Sequence, residues 1–206
     1  MRKQKLLIFG GTGKTVNNLI VEALNRKYLV TAIVYDITKI PIRHPDLEIK
    51  HGHMMNTENV EALVKTQDAV IAVHEPLYIN PKEHVKAIYS VINGVKKAGV
   101  RKLLVIGHPI YRPIENTMEF YDLWKPIARA QQEVLALFHR ENYLNWAYVY
   151  SNELQPDPKT GRLDKQANMI LASPLGESLV PLKGYAPILL DYAQVLTSKL
   201  ELELNI

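Results

Sequence analysis

Residues 6–16 read Leu6-Leu7-Ile8-Phe9-Gly10-Gly11-Thr12-Gly13-Lys14-Thr15-Val16, and this stretch decides the fold. Four consecutive apolar residues suit a strand buried on both faces, and they give way to glycines before an amphipathic helical pattern begins. Strand, glycine turn and helix start, in that order, make the first unit of a dinucleotide-binding fold. The tight turn brings backbone N–H groups against a pyrophosphate at the positive end of the helix, where side chains would block the approach. Gly10, Thr12, Gly13, Lys14, Thr15 and Val16 are the expected phosphate-side residues.

The spacing is G-x-x-G-x-x-G with Gly10 and Gly13 in the first two places and Val16 in the third. The third glycine normally allows close packing of helix on strand, so Val16 predicts a displaced helix and an altered phosphate grip. Gly13-Lys14-Thr15 also imitates the end of a G-x-x-x-x-G-K-[ST] phosphate loop, but that pattern needs glycine where Ile8 stands inside the strand. A turn that merely connects strand to helix is the structural alternative.

Working outward, Asn17 to Lys27 carries Leu19, Ile20, Ala23 and Leu24 at helical spacing, and Leu29 to Val34 is the next buried strand. Tyr35 to Asp46, with Pro41 and Pro45, reads as loop. Leu47 to His51 is a short strand, Asn56 caps a helix through about Lys65, and Ala69 to Val73 is a fourth strand that ends at His74. Asn80-Pro81-Lys82-Glu83 has the cap, the proline and the acidic residue of a helix start, and that helix stops at Gly99. Lys102 to Ile106 is a fifth strand ending at Gly107-His108, a helix follows through about Arg140, and Trp146 to Tyr150 is a sixth strand. The pattern predicts an α/β, Rossmann-like, doubly wound parallel sheet with its ligands at the carboxyl ends of the strands. Beyond Asn152, Pro156, Pro158, Pro174 and Pro181 suggest a small irregular C-terminal lobe over about 152–186, on the substrate side of a single domain spanning 1–206. A helix from about Pro187 to Leu200 closes the chain.

A chain of 206 residues is long enough for one α/β domain and short for two. Its net charge of +4 is spread along the chain, which gives no argument for nucleic acid; an anionic small molecule suffices as partner. The absence of cysteine excludes disulfides, thiolate metal sites and a cysteine nucleophile. With the first strand a few residues from Met1 and no apolar run of membrane-spanning length, the expected location is cytoplasmic.

With these elements in place, the chain resembles the atypical short-chain dehydrogenase/reductase group of NAD(P)H-binding proteins. That group includes the NADH-flavin reductases and is related to the flavin/biliverdin-type reductases and NmrA-like proteins. The resemblance runs through LLIFGGTGKT, VTAIVYD, EALVKTQDAVIAV, GVRKLLVIG, WKPIARAQQEVL, NWAYVYSNELQPDPKTG and DYAQVLTSKLE. It implies an NAD(P)H cofactor. Relatives commonly carry glycine at Val16, arginine at Tyr35, aspartate at His53 and a glycine-rich turn at His108-Pro109, so each departure falls on the cofactor rim.

The candidate chemistry follows from position. Tyr35, Asp36, His53, His74 and Gly107, at strand ends, join the cofactor-side set. Asp36 lies about twenty residues beyond Val16, where an acidic residue meets ribose hydroxyls, and this favours NADH over NADPH; Lys39 and Arg43 are the competing phosphate ligands. The imidazole of His108 is the side-chain type suited to a proton donor near neutral pH, and Ser151 with Asn152 is placed to hold a substrate carbonyl or the nicotinamide amide; backbone and turn roles are the alternatives. Tyr121 and Lys125 form Y-x-x-x-K, but Pro126 is best suited to a first helical turn, which places Tyr121 before the helix. Tyr111, Tyr121, Trp124 and Tyr150 offer an aromatic wall for a planar acceptor such as a flavin. His44, His51, His53 and His84 show no ligand spacing, so no metal is expected. The expected activity is an NAD(P)H-dependent, flavin-reductase-like transfer of hydride to a bound planar acceptor. The alternatives are a dinucleotide-sensing regulator of NmrA-like type that binds without turnover and, less favoured, an epimerase or isomerase on the same fold.

Overall fold

The computed structural model describes residues 2–11, 13–74, 80–107, 118–151, 168–181 and 185–195, with backbone alone at 118–125, 151, 168, 181, 185 and 195. Strands β1 (Lys5–Phe9), β2 (Leu29–Val34), β3 (Leu47–His51), β4 (Ala69–His74), β5 (Lys102–Gly107), β6 (Asn145–Ser151), β7 (Asn168–Ser173) and β8 (Gly176–Pro181) form one sheet in the order β3-β2-β1-β4-β5-β6-β7-β8. The pairings from β3 through β6 are parallel; β6–β7 and β7–β8 are antiparallel.

The helices are α1 (Lys14–Asn25), α2 (Thr57–Val64), α3 (Pro81–Lys97), α4 (Met118–His139) and α5 (Tyr185–Val195), with a 3-10 turn η1 at Ile37–Lys39. Side-chain alternation along β1 sorts them into two layers. Leu6 and Ile8 share a core with Leu19, Ile20 and Ala23 of α1 and Leu189 and Leu190 of α5. Leu7 and Phe9 share the opposite core with Val60 and Val64 of α2, Ile88, Val91 and Val95 of α3, and Val134 and Phe138 of α4. This is why β1 reads as a continuous apolar run. Because β2 and β4 flank β1 and the strand order reverses there, the crevice at the switch point opens directly above the glycine turn.

The predicted caps are present: the Asn56 side chain accepts the Asn59 N–H at 2.9 Å, and Asn80 accepts that of Glu83 at 3.3 Å. Gly99 takes φ +75 at the end of α3, a left-handed conformation suited to glycine. Two expectations are corrected. Part of the stretch read as irregular forms the β7–β8 hairpin, because its prolines fall at the turn (Pro174) and the strand end (Pro181), where no ladder N–H is needed, and Gly176 at φ +115 closes the turn. Helix α4 does not start at Pro126 but includes it. Pro126 is exposed while Ile127, Ala130, Gln131, Val134 and Phe138 are buried, so an apolar stripe holds the helix despite one missing N–H. Tyr121 and Lys125 therefore stand four residues apart on one continuous helix. Helix α5 is described over Tyr185–Val195, starting slightly before the predicted Pro187, and the rest of that prediction, through Leu200, lies outside the described residues. No described helix is long and apolar enough to cross a membrane.

Candidate functional site

The crevice is built from strand ends. At β1, the Gly10 N–H donates to the Ile33 carbonyl at 3.1 Å, and Gly13 caps α1 with φ −75 and ψ 173. A β-carbon at Gly10 would lie 2.6 Å from Val16 Cγ2 and 3.1 Å from Val73 Cβ, so only glycine fits. Val16 is fully buried, and its side chain uses the space that Gly10 leaves. The missing third glycine is thus accommodated by the first. Gly13, by contrast, has a backbone conformation open to any residue, so its role rests on approach and not on turn geometry. Lys14 is exposed and Thr15 half-buried in the first turn; Thr12 lies outside the described residues.

At the end of β2, Tyr35 is exposed and Asp36 is fixed. Asp36 Oδ1 accepts the Thr38 N–H at 3.0 Å and the Thr38 hydroxyl at 2.5 Å, and Lys39 Nζ lies 3.8 Å from Oδ2. The Thr38 side-chain bond, with the backbone bond beside it, holds the Asp36 carboxyl below the ordinary carboxylate range. Arg43 Nη1 donates to the Ile40 and Ile42 carbonyls at 3.0 and 3.1 Å, which folds this cation back on its own loop. Beyond β3, a β-carbon at Gly52 would lie 2.8 Å from Ile33 Cγ2, and His53 Nδ1 accepts the Met55 N–H at 3.3 Å.

His74 ends β4 as predicted, but its ring turns into the interior. His74 Nδ1 lies 3.0 Å from His84 Nδ1 of α3, with both rings buried, and His84 Nε2 has no partner among the described residues. Burial pushes both imidazoles well below their ordinary value, and for His84 the neighbouring ring adds to the shift. The pair is therefore neutral at physiological pH, with one shared hydrogen. Sequence reasoning treated the two histidines separately, although His84 falls on the apolar stripe of α3 that continues through Ala87, Ile88 and Val91. Gly107, in register with His74, lacks a side chain where a β-carbon would lie 3.3 Å from the Tyr148 hydroxyl. That hydroxyl is buried and has no partner among the described residues, and burial raises its pKa.

Farther along the sheet, Tyr150 stacks on Tyr148 with ring centroids 5.2 Å apart, and its hydroxyl donates to Glu177 Oε1 at 3.0 Å. Glu177 is a partner that sequence reasoning missed, because the bond joins residues 27 apart through an unanticipated hairpin. Ser151 is the last residue of β6, paired with Met169. His108, Tyr111 and Asn152 lie outside the described residues, as do the side chains of Ser151, Tyr121, Trp124 and Lys125. Among the described residues, no group of three or more His, Asp or Glu side chains is placed to hold a metal.

The doubly wound sheet, with its switch point above an obligatory glycine, defines a Rossmann dinucleotide-binding protein. The family model for NAD(P)H-binding proteins matches residues 10–170, and the chain belongs to that family. It is 26% identical over 198 residues, 91% of each chain, to YwnB, an uncharacterized protein of Bacillus subtilis (strain 168). A solved structure from Bacteroides thetaiotaomicron, an epimerase by name, is 26% identical, with a TM-score of 0.61 and coverage of 97% of this chain and 92% of that one. A short-chain dehydrogenase/reductase from Veillonella parvula, solved in complex with NADP, shares the fold at 14% identity, a TM-score of 0.52 and coverage of 76% and 75%. Nicotinamide dinucleotide binding is thus the property common to the family and to the geometry.

Proposed function

We propose that the protein is an NAD(P)H-dependent reductase of flavin-reductase-like kind, acting as one unit with residues about 152–186 on its acceptor side. The observation that carries this reading is the glycine turn at the β1–β4 switch point, where Gly10 admits no side chain and a glycine cap leads into α1. A bound nicotinamide coenzyme supplies a hydride there. The backbone from Gly10 to Val16 holds the pyrophosphate against the positive end of α1, and Lys14 adds charge. Asp36, held by Thr38, accepts the ribose hydroxyls and disfavours a 2′-phosphate, so NADH is the preferred coenzyme; the inward fold of Arg43 supports the same preference.

A proton must accompany the hydride to a two-electron acceptor. The candidate donors are His108, or Tyr121 with Lys125 now that the two share a helix. Ser151, at the end of β6, orients the acceptor. His74 is committed to His84 and serves the crevice wall, not proton exchange.

The test is titration with NADH and NADPH at two salt concentrations, followed by turnover with free flavins and quinones. Tighter binding of NADH at both salts, with turnover of at least one acceptor, is expected. An NADPH preference that fades with salt reassigns phosphate binding to Lys39 or Arg43. Tight coenzyme binding with no turnover on any acceptor replaces the reductase by the dinucleotide-sensing regulator.

A further inference from the structure

The sheet continues past the nucleotide crevice over β6, β7 and β8, and its two faces there are unlike. On one face Met169, Leu171 and Val180 are buried with Leu189 and Leu190 of α5. On the other, register places Tyr150 beside Ile170 and Ile170 beside Leu179, three large apolar side chains in a row near the carboxyl ends of β6 and β8. Exposure rises along the row: Tyr150 is buried, Ile170 half-buried, and Leu179 is 64% exposed. Adjacent strands lie about 4.8 Å apart, so the row is about 10 Å long, the span of a fused three-ring system.

A polar group stands at its foot. Glu177 pairs in register with Ala172, whose small side chain lets the Tyr150 phenol cross β7 to reach the carboxylate at 3.0 Å. Burial, with the Glu177 bond second, pushes the Tyr150 hydroxyl up to about 12, so it keeps its proton and donates it. Glu177 has no ion-pair partner among the described residues, and a carboxylate that accepts one bond retains capacity for others. A carboxylate with no described cation on it, beside an apolar row, favours a ligand that brings N–H donors and repels one that brings an anion.

We propose that Tyr150, Ile170, Leu179 and Glu177 form the acceptor subsite, a shelf for a neutral, planar, fused-ring molecule with an N–H edge. The ring lies along Ile170 and Leu179, and the N–H edge donates to Glu177. The shelf begins one strand beyond Gly107 of β5, which puts it next to the crevice that holds the coenzyme. This assignment rests on the reductase reading given above.

The experiment is equilibrium titration of the NAD⁺-saturated full chain with riboflavin, which carries an N–H edge, and with menadione, which carries none. Leu179→Asp, an exposed edge position, is expected to weaken both probes about tenfold or more, by placing a charge on the shelf. Glu177→Ala is expected to weaken riboflavin about tenfold while leaving menadione within about twofold. Leu175→Asp, 78% exposed in the hairpin turn and off the shelf, is the control that changes neither. NADH affinity stays within about twofold of wild type in all three variants. Riboflavin binding that ignores Leu179→Asp overturns the shelf, and equal effects of Glu177→Ala on both probes overturn the N–H assignment. If wild type binds NADH but neither probe, the shelf falls, while the reductase reading falls only if no acceptor is turned over. If it binds no coenzyme while riboflavin, titrated alone, still depends on Leu179, only the reductase reading falls.

Discussion

The two ends of the sheet, to which we assign the coenzyme and the acceptor respectively, are shaped by different means. From β3 to β4 the crevice is shaped by missing side chains: Gly10 yields to Val16, Gly52 yields to Ile33, and Asp36 is fixed by its neighbour Thr38 two residues on. From β4 onward it is shaped by side chains that meet across the fold: His74 with His84, Tyr148 over Gly107, and Tyr150 with Glu177. The first half is local and backbone-driven; the second depends on packing between distant elements. Substitutions in the first half should therefore act on coenzyme binding and close packing, and those in the second on acceptor binding and acid sensitivity.

The largest expected effect comes from the buried histidine pair. The unfolded imidazole titrates near 6.5, while burial holds both folded rings well below that, so the unfolded chain binds more protons as pH falls. Stability is fully present above 6.5 and is lost as pH drops toward the depressed folded values, at up to about 1.4 kcal/mol per ring per pH unit. Urea unfolding of wild type and His84→Leu between pH 7 and pH 4.5 should give a shallower pH slope in the variant. Equal slopes would show that the pair does not titrate with unfolding.

Next is Gly10→Ala, whose β-carbon meets Val16 Cγ2 at 2.6 Å. A loss of about 1–3 kcal/mol is expected, with weakened NADH binding, and Val16→Ala in the same chain should restore part of both. Additivity of the two substitutions would refute the compensation described here.

These two cases also show what was legible in the sequence. The six parallel strands, the glycine turn and the caps at Asn56 and Asn80 were readable, because each is written in consecutive residues. Helix α4 was misjudged at Pro126, since proline was weighed by backbone propensity while the stripe from Ile127 to Phe138 decides the helix. The β7–β8 hairpin was hidden by its prolines, which turned out to stand where the ladder has no use for their N–H groups. The pairs His74–His84 and Tyr150–Glu177 had no local signature, because each forms only when separate elements pack.

Smaller effects sharpen the comparison. Thr38→Val removes the 2.5 Å hydroxyl bond to Asp36, which should raise the Asp36 pKa toward the ordinary range and weaken NADH binding by about two- to fivefold, with NADPH less affected. NMR titration of the carboxylate alongside coenzyme affinity checks both. The smallest effect is Tyr148→Phe. Its buried hydroxyl has no partner among the described residues, so removal should leave stability unchanged within about 0.5 kcal/mol or raise it. A loss above 1.5 kcal/mol, about the full worth of a hydrogen bond, would reveal a bridging water beside Gly107.

Arg26, at the C-terminal end of α1, donates to Glu22 within its own turn, to Asp191 at 2.6 Å and to the Pro187 carbonyl at 3.0 Å. Arg26 and Asp191 stand 165 residues apart in the chain. The helix that begins at the coenzyme turn is thus made early and clasped late. At a synthesis rate of about 5–20 residues per second, roughly 10–30 s pass between the appearance of α1 and that of its clasp on α5. During that interval Leu19, Ile20 and Ala23 of α1 lack the Leu189 and Leu190 side chains of α5 with which they share a core. A nascent chain lacking α5 should hold NADH poorly even though every residue of the glycine turn is already present.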